Sequence, residues 1–184
     1  MKITSGSYAG ISISAPKGLD VRPTLGKIKQ AVFNMIRLKT EGAACIDLFA
    51  GTGAYGLEAL SNGAEKAIFV ESVTGDLILK NCEKLRIPNN SFRILKCDYR
   101  KAIEKLVIEK IKADLIFADP PYNRGYINDT LDLIIRKDLL RSGGLLVLEI
   151  QSEELKGCDF KNDSLKIIKN KKYGDKNIII FERT

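Results

Sequence analysis

The chain has 184 residues, 45% of them hydrophobic, and carries 30 Lys and Arg against 23 Asp and Glu, a net charge of +7. That length suits one domain with a core of its own, and the balance of apolar and charged residues excludes a disordered polyelectrolyte. The positive balance favours a polyanionic partner, and the absence of histidine removes Ser-His-Asp catalysis, Cys-His catalysis and every His-ligated metal site.

Met1 to Gly6 lacks the continuous apolar stretch of a secretory signal, which points to the cytoplasm. Residues 2 to 14 alternate weakly and contain Gly6 and Gly10, which predicts a β-hairpin, closed by a Pro16-Lys17-Gly18 turn. After Arg22-Pro23, Thr24 can cap a helix whose apolar positions Ile28, Val32, Met35 and Ile36 recur at helical spacing to about Lys39. Residues 1 to 40 therefore read as an extension packed on a main domain of residues 41 to 184.

From Ala44 onward strand and helix alternate. The predicted strands are Cys45 to Phe49, Ala67 to Val70, Phe92 to Cys97, Asp114 to Ala118 and Leu145 to Ile150, the last entered by the turn Gly143-Gly144. Helices are predicted over Ala54 to Asn62, Gly75 to Arg86, Arg100 to Lys110 and Asn128 to Lys137. Apolar strands interleaved with helices indicate an α/β fold with a parallel sheet covered on both faces. Leu165 to Lys169 and Asn177 to Phe181 then read as a hairpin that ends the sheet in antiparallel fashion. The longest apolar runs, such as Leu145 to Leu148, fall far short of the roughly 20 residues of a spanning helix, so no membrane is expected. Cys45, Cys82, Cys97 and Cys158 never form a C-x-x-C pair, which predicts four buried thiols and no metal.

The segment Asp47-Leu48-Phe49-Ala50-Gly51-Thr52-Gly53-Ala54-Tyr55-Gly56 passes from a strand into a helix, where glycines allow a tight turn and close approach of a ligand. Gly51, Gly53 and Gly56 fit G-x-G-x-x-G, and Glu71 follows Gly51 by 20 residues at a strand end, so a dinucleotide dehydrogenase is an alternative. Asp47 decides against it. A carboxylate ahead of the glycines repels a pyrophosphate but favours a cationic ligand such as S-adenosylmethionine, with its sulfonium and amino groups; moreover, no Tyr-x-x-x-Lys pair exists to donate a proton. Glu71 is placed to accept two ribose hydroxyls, while Asp98 is placed either to meet an adenine amine or to cap the following helix.

Asp119-Pro120-Pro121-Tyr122 follows an apolar strand directly. Two prolines stiffen the turn and remove two amide donors, leaving only acceptors. Such a corner suits an amino group: the Asp119 carboxylate and the Pro120 carbonyl can take its two hydrogens and turn the nitrogen lone pair outward, and Tyr122 offers a face for stacking.

With these motifs in place, the chain resembles the class I S-adenosylmethionine-dependent methyltransferases that modify amino groups, and within them the RsmD-type 16S rRNA (guanine-N2)-methyltransferase family. Arg22-Pro23-Thr24, Lys27, Lys29 and Val32-Phe33-Asn34 look like that family's opening helix, and the similarity extends to Lys172-Tyr173-Gly174. The resemblance implies a Rossmann-like sheet of seven strands with an antiparallel last strand. It implies Asp47, Phe49, Ala50, Gly51, Thr52 and Gly53 as the cofactor loop, Glu71 and Asp98 as further cofactor ligands, and Asp119, Pro120, Pro121 and Tyr122 as the catalytic segment. Arg22, Lys27, Lys29, Lys171 and Lys172, with Lys176, would then meet phosphates. The implied activity is methyl transfer from S-adenosylmethionine, leaving S-adenosylhomocysteine, to a guanine N2 in small-subunit ribosomal RNA or the assembling subunit, by a monomer. The chain departs from the family in two places: Ser7 to Ser12 carry no basic residue, and lysines at 27 and 29 replace arginines, which lose the forked geometry. The alternatives are methylation of another planar amine (adenine N6, cytosine N4 or protein glutamine N5) and a non-catalytic RNA-binding assembly factor.

Overall fold

The computed structural model describes residues 1–16, 23–122, 125–160 and 162–184, with the side chains of residues 23–25 set aside. The expected roles of Arg22, of the Thr24 cap and of the turn at residues 17–18 therefore lie outside the described residues.

Seven strands form one sheet: β1 (Ala44–Asp47), β2 (Lys66–Val70), β3 (Phe92–Leu95), β4 (Ala113–Ala118), β5 (Leu140–Gln151), β6 (Leu165–Tyr173) and β7 (Lys176–Arg183). Their order is β3-β2-β1-β4-β5-β7-β6, with β1 to β5 parallel and β7 antiparallel to both β5 and β6. The helices are α1 (Pro23–Thr40), α2 (Ala54–Ser61), α3 (Gly75–Lys84), α4 (Tyr99–Ile108) and α5 (Tyr126–Arg136). The expected Rossmann-like α/β fold is the observed one.

Strand alternation decides which helix covers which face. Cys45, Leu115, Phe117, Leu145, Val147, Ile178 and Ile180 pack against Ile28, Val32, Phe33 and Ile36 of α1. On the same side, Ala67 and Phe69 meet Leu57 of α2 and Ile78 and Cys82 of α3. The opposite parity, including Ile46, Ile116, Leu146, Leu148 and Ile179, meets Ile103 and Leu106 of α4 and Leu131 and Ile134 of α5. The order in which strands are laid down reverses between the parallel neighbours β1 and β4, and that switch point is where open α/β sheets leave a crevice beyond the carboxyl ends of their strands.

The predicted N-terminal hairpin is reduced to a single antiparallel bridge, Lys2 to Ser12, with a short 3-10 turn over Gly6–Tyr8 at its tip. Its two arms still exchange backbone hydrogen bonds, Ile3 to Ile11 at 3.0 Å and Ile13 to Met1 at 2.8 Å, and side chains of the main domain take up further backbone groups. The buried Glu58 of α2 accepts the backbone N–H groups of Thr4 (3.0 Å) and Ser5 (2.7 Å) as well as both hydroxyls. Ser14 and Asn81 exchange hydrogen bonds further along the segment. Gly6 has φ +75°, and a Cβ there would meet the Ser61 carbonyl at 1.8 Å, so both conformation and space demand glycine. Gly143-Gly144 is likewise a bulge inside β5 instead of a turn before it: the pairing with β4 jumps from Ala113–Leu140 to Leu115–Leu145. The C-terminal strands are longer than the apolar pattern indicates, and Tyr173 pairs with Lys176 across a two-residue loop led by Gly174 at φ +64°.

Candidate active site

One cavity of about 470 Å³ opens beyond the carboxyl ends of four adjacent strands. Leu48 and Phe49 follow β1, Val70 to Val73 end β2, Cys97 to Tyr99 follow β3, and Asp119 to Tyr122 follow β4, with Tyr126 closing the wall. Of the residues singled out from the sequence, Phe49, Glu71, Asp98, Asp119, Pro120, Pro121 and Tyr122 line this space. Asp47, Ala50, Gly51, Thr52 and Gly53 form the turn next to it.

Backbone hydrogen bonds shape that turn. The Glu71 carboxylate accepts the Gly51 N–H at 2.7 Å with one oxygen and the Val73 N–H at 2.8 Å with the other. The Thr74 N–H approaches the second oxygen as well, at 3.3 Å; a carboxylate has about four lone-pair sites, so room remains for about one hydroxyl of a ligand. Gly51 and Gly53 have φ +53° and +80°, the left-handed region that glycine enters without strain. Gly56 serves packing: a Cβ would stand 2.3 Å from the Phe69 ring, so glycine lets α2 press onto β2. Asp98 caps α4, accepting the Arg100 N–H at 2.9 Å, and still faces the cavity; its two sequence readings are compatible. Aromatic rings finish this side, Phe49 lying 4.9 Å from Tyr99 and 6.4 Å from Tyr126 between centroids.

The other side is governed by charge. Asp47 is buried and accepts the Gly56 N–H at 3.0 Å. Burial pushes its carboxyl up to about 7; the Gly56 bond opposes this and the charge of Glu71 adds to it. Asp119 retains some exposure to the cavity, but its carboxyl lies deep enough that desolvation leads a rise to about 7, with Glu149 adding and Lys176 subtracting. The Tyr122 hydroxyl stands 3.5 Å from Asp119 Oδ1, a long hydrogen bond.

Two residues here carry no sequence-based assignment, Glu149 and Tyr55, and a third, Lys176, has a different one. Glu149 is buried on β5, receives a 2.6 Å hydrogen bond from the Tyr55 hydroxyl, and is ion-paired to Lys176. Its signal was a carboxylate inside the apolar run Leu145 to Ile150, since a charge is buried only when paired. Lys176 corrects its expected role on phosphate: its side chain is only 14% exposed and lies 5.3 Å from the centre of the Tyr122 ring. Lys29 is corrected more completely. Its side chain is 3% exposed, bound to Glu58 at 2.7 Å and to the Lys2 carbonyl at 3.0 Å, so it anchors the N-terminal segment and is withdrawn from any polyanion. Lys27, Lys171 and Lys172 are exposed. Of the four cysteines, Cys45 and Cys82 are buried as expected and Cys97 and Cys158 only partly so; burial pushes the Cys82 thiol up to about 12.

A profile of the family described as Conserved hypothetical protein 95 matches residues 1–182. The chain belongs to this family, that of the RsmD-type methyltransferases. A curated relative, YlbH of Bacillus subtilis strain 168, provisionally named an rRNA methyltransferase, is 34% identical over 83% of this chain and 84% of its own length. Ribosomal RNA small subunit methyltransferase D of Escherichia coli K12 is 29% identical over 83% of this chain and 76% of its own. Among solved structures, yhhF of Escherichia coli, provisionally titled a methyltransferase, superposes with a TM-score of 0.85 at 27% identity, covering 100% of this chain and 97% of that one. No helix among the described residues of this methyltransferase is long and apolar enough to cross a membrane.

Proposed function

We propose that this methyltransferase moves a methyl group from S-adenosylmethionine to the exocyclic N2 amine of a guanine in small-subunit ribosomal RNA. The observation that carries the reading is the shared cavity: the corner Asp119 to Tyr122, whose two prolines offer carbonyls and no N–H, faces the same space as Glu71, Asp98 and Phe49. The donor set fits the cofactor. Glu71 keeps room for a ribose hydroxyl, Asp98 and the Phe49–Tyr99–Tyr126 rings offer a polar edge and flat faces for adenine, and Asp47 sets a carboxyl beside the glycine turn. When bound, the cofactor supplies an electrophilic methyl on a sulfonium.

This chain's residues supply position and charge. Asp119 and the Pro120 carbonyl accept the two hydrogens of the amine, which frees the nitrogen lone pair from conjugation with the ring. Tyr122 stacks on the base, which must leave its helix at a cost of a few kcal/mol. The amine held by Asp119 and Pro120 would be the nucleophile toward the methyl that the bound sulfonium would supply, and Asp119 or water would take the proton it sheds. Asp119 is an acceptor with both oxygens when ionised, so turnover should rise with pH through about 7. Lys171 and Lys172, near a hairpin tip at the same edge of the sheet as the strand ends, would meet RNA phosphates, and Lys27 on α1 adds a further cation. We place the catalyst in the cytoplasm as a monomer of residues 1–40 packed on 41–184.

The test is labelled-methyl incorporation, compared across small subunits from a strain lacking the protein, naked RNA, DNA and protein, with mass mapping of the product. N2-methylguanine in the subunit supports the reading. Label on adenine N6, cytosine N4 or glutamine N5 would move it to the other planar amines, which the same corner can hold.

A further inference from the structure

The ion pair of Glu149 and Lys176 lies outside the four-residue motif and outside the glycine turn, yet Lys176 stands 5.3 Å from the Tyr122 ring and Glu149 is bound by Tyr55, at the start of the helix that the turn leads into. Register explains how it arrives there. Phe117 pairs with Val147 and Ala118 with Leu148, so one further step sets Asp119 beside Glu149. Glu149 pairs with Ile178 across the antiparallel strand, which makes Lys176 its diagonal neighbour on the same face. Asp47, Asp119, Glu149 and Lys176 share the strand parity that faces α2, from which Tyr55 reaches Glu149.

We propose that Lys176 is a positioning residue for methyl transfer: paired to Glu149, which Tyr55 holds from α2, its ammonium holds the Tyr122 ring and offsets the negative charge gathered around Asp119. The proposal rests on the methyl-transfer reading above. Four groups face Asp119: Glu149 from β5 and Asp47 from β1, both negative, Lys176 from β7, positive, and the Tyr122 hydroxyl from its own loop. Lys176 is the one cation among them. Tyr55, from α2, is neutral, its hydroxyl held well above its ordinary range by burial and by Glu149. Three carboxyls gathered at one switch point cannot all ionise without a counter-charge, because like charges a few ångströms apart raise one another's proton affinity. Lys176 provides that counter-charge. Its own ammonium is pushed upward by Asp119 and Glu149 in spite of desolvation, so it stays protonated throughout the neutral range. The Tyr55 hydroxyl and the ammonium engage one Glu149 oxygen each, which satisfies a carboxylate that the apolar strand would otherwise not tolerate. The arrangement also explains why the hairpin turns so tightly at Gly174: the two-residue loop brings Lys176 back to the active-site end of the sheet.

The decisive measurement is the Asp119 side-chain carboxyl titration by ¹³C NMR in the cofactor-free protein, read for the wild type, Lys176→Met and the pair Lys176→Met with Glu149→Gln. Removing the cation should raise the Asp119 midpoint by about one pH unit or more. Removing both charges should return it to near or below the wild-type value, since the Glu149 charge is the stronger of the two influences. In the transfer assay, Lys176→Met should lose about tenfold in kcat at pH 6.5 and recover toward pH 9, with KM for the cofactor within about twofold, and Lys176→Arg should regain most of the loss. A pair that merely tied β5 to β7 would change the melting temperature and leave the midpoint and the pH profile where they were, which overturns the proposal. Should Lys176→Met not fold, Glu149→Gln alone must lower the Asp119 midpoint, and an unchanged or higher midpoint overturns it equally. A wild-type chain that transfers no methyl to any planar amine removes the functional reading and the catalytic half of this proposal with it, whereas active wild type with an unmoved midpoint defeats this proposal alone.

Discussion

The two sides of the crevice hold their groups by different means. On the β1 to β3 side, Glu71 and Asp98 are tied to the backbone of neighbouring turns, so each carboxylate is placed by residues within about 20 positions of it in the chain. On the β4, β5 and β7 side, Asp119, Glu149 and Lys176 come from segments that meet only in the sheet, and side-chain charges set their states. Backbone donors cannot titrate and give a rigid cradle. The second side adds paired charges, and Glu149 and Lys176 act in opposite directions on the Asp119 carboxyl.

Substitutions should separate the two. The largest expected effect is that of Asp119→Ala: turnover on the RNA substrate falls by about 10³-fold, as for loss of an oriented polar group acting in the transition state, while calorimetry shows cofactor affinity within about threefold. A comparable loss in both would mean that the two sides do not divide the work. Next comes Glu71→Ala, which should raise the cofactor dissociation constant by about 10- to 100-fold, the range for hydrogen bonds to a charged group; unchanged affinity would remove Glu71 from the ribose.

A smaller effect tests the electrostatics without ligand. Asp47 and Asp119 both bind protons more tightly when folded, near 7 against an ordinary 3.8. The folded chain therefore holds more protons than the unfolded one between those values, and their contribution to stability falls as pH rises from about 4 through about 7. The cofactor-free protein should melt several degrees lower at pH 8 than at pH 5.5, and Asp47→Asn should recover part of that difference. A flat profile would show that these acids are better solvated than their burial implies. The smallest effect belongs to the surface: Lys171→Ala with Lys172→Ala should weaken RNA binding a few-fold and reduce the salt dependence by about two counterions, with kcat unchanged at saturating RNA.

Lys27 and Lys29 are two residues apart and alike on paper, and both were assigned to phosphate. On α1 they face different ways: Lys27 meets solvent, and Lys29 turns inward onto Glu58. Glu58 itself sits on α2 with no local sign that it gathers Thr4, Ser5 and Lys29. Sequence patterns report periodicity and turn chemistry well, whereas a buried ion pair is a coincidence of two distant residues. Glu149 was visible as an anomaly in an apolar strand, but its partners were not.

The sequence by itself determined the alternation of strand and helix, the glycine turn with its acid 20 residues on, and the stiff acceptor corner after β4, because each is built from neighbouring residues whose dihedral and hydrogen-bonding limits act locally. Only the tertiary structure decided that β7 inserts between β5 and β6, that Lys29 is interior, and that Lys176 stands with Glu149 at the catalytic corner. Those outcomes depend on which strands pair and in what register, and pairing is settled by the burial of whole faces against helices far away in the chain.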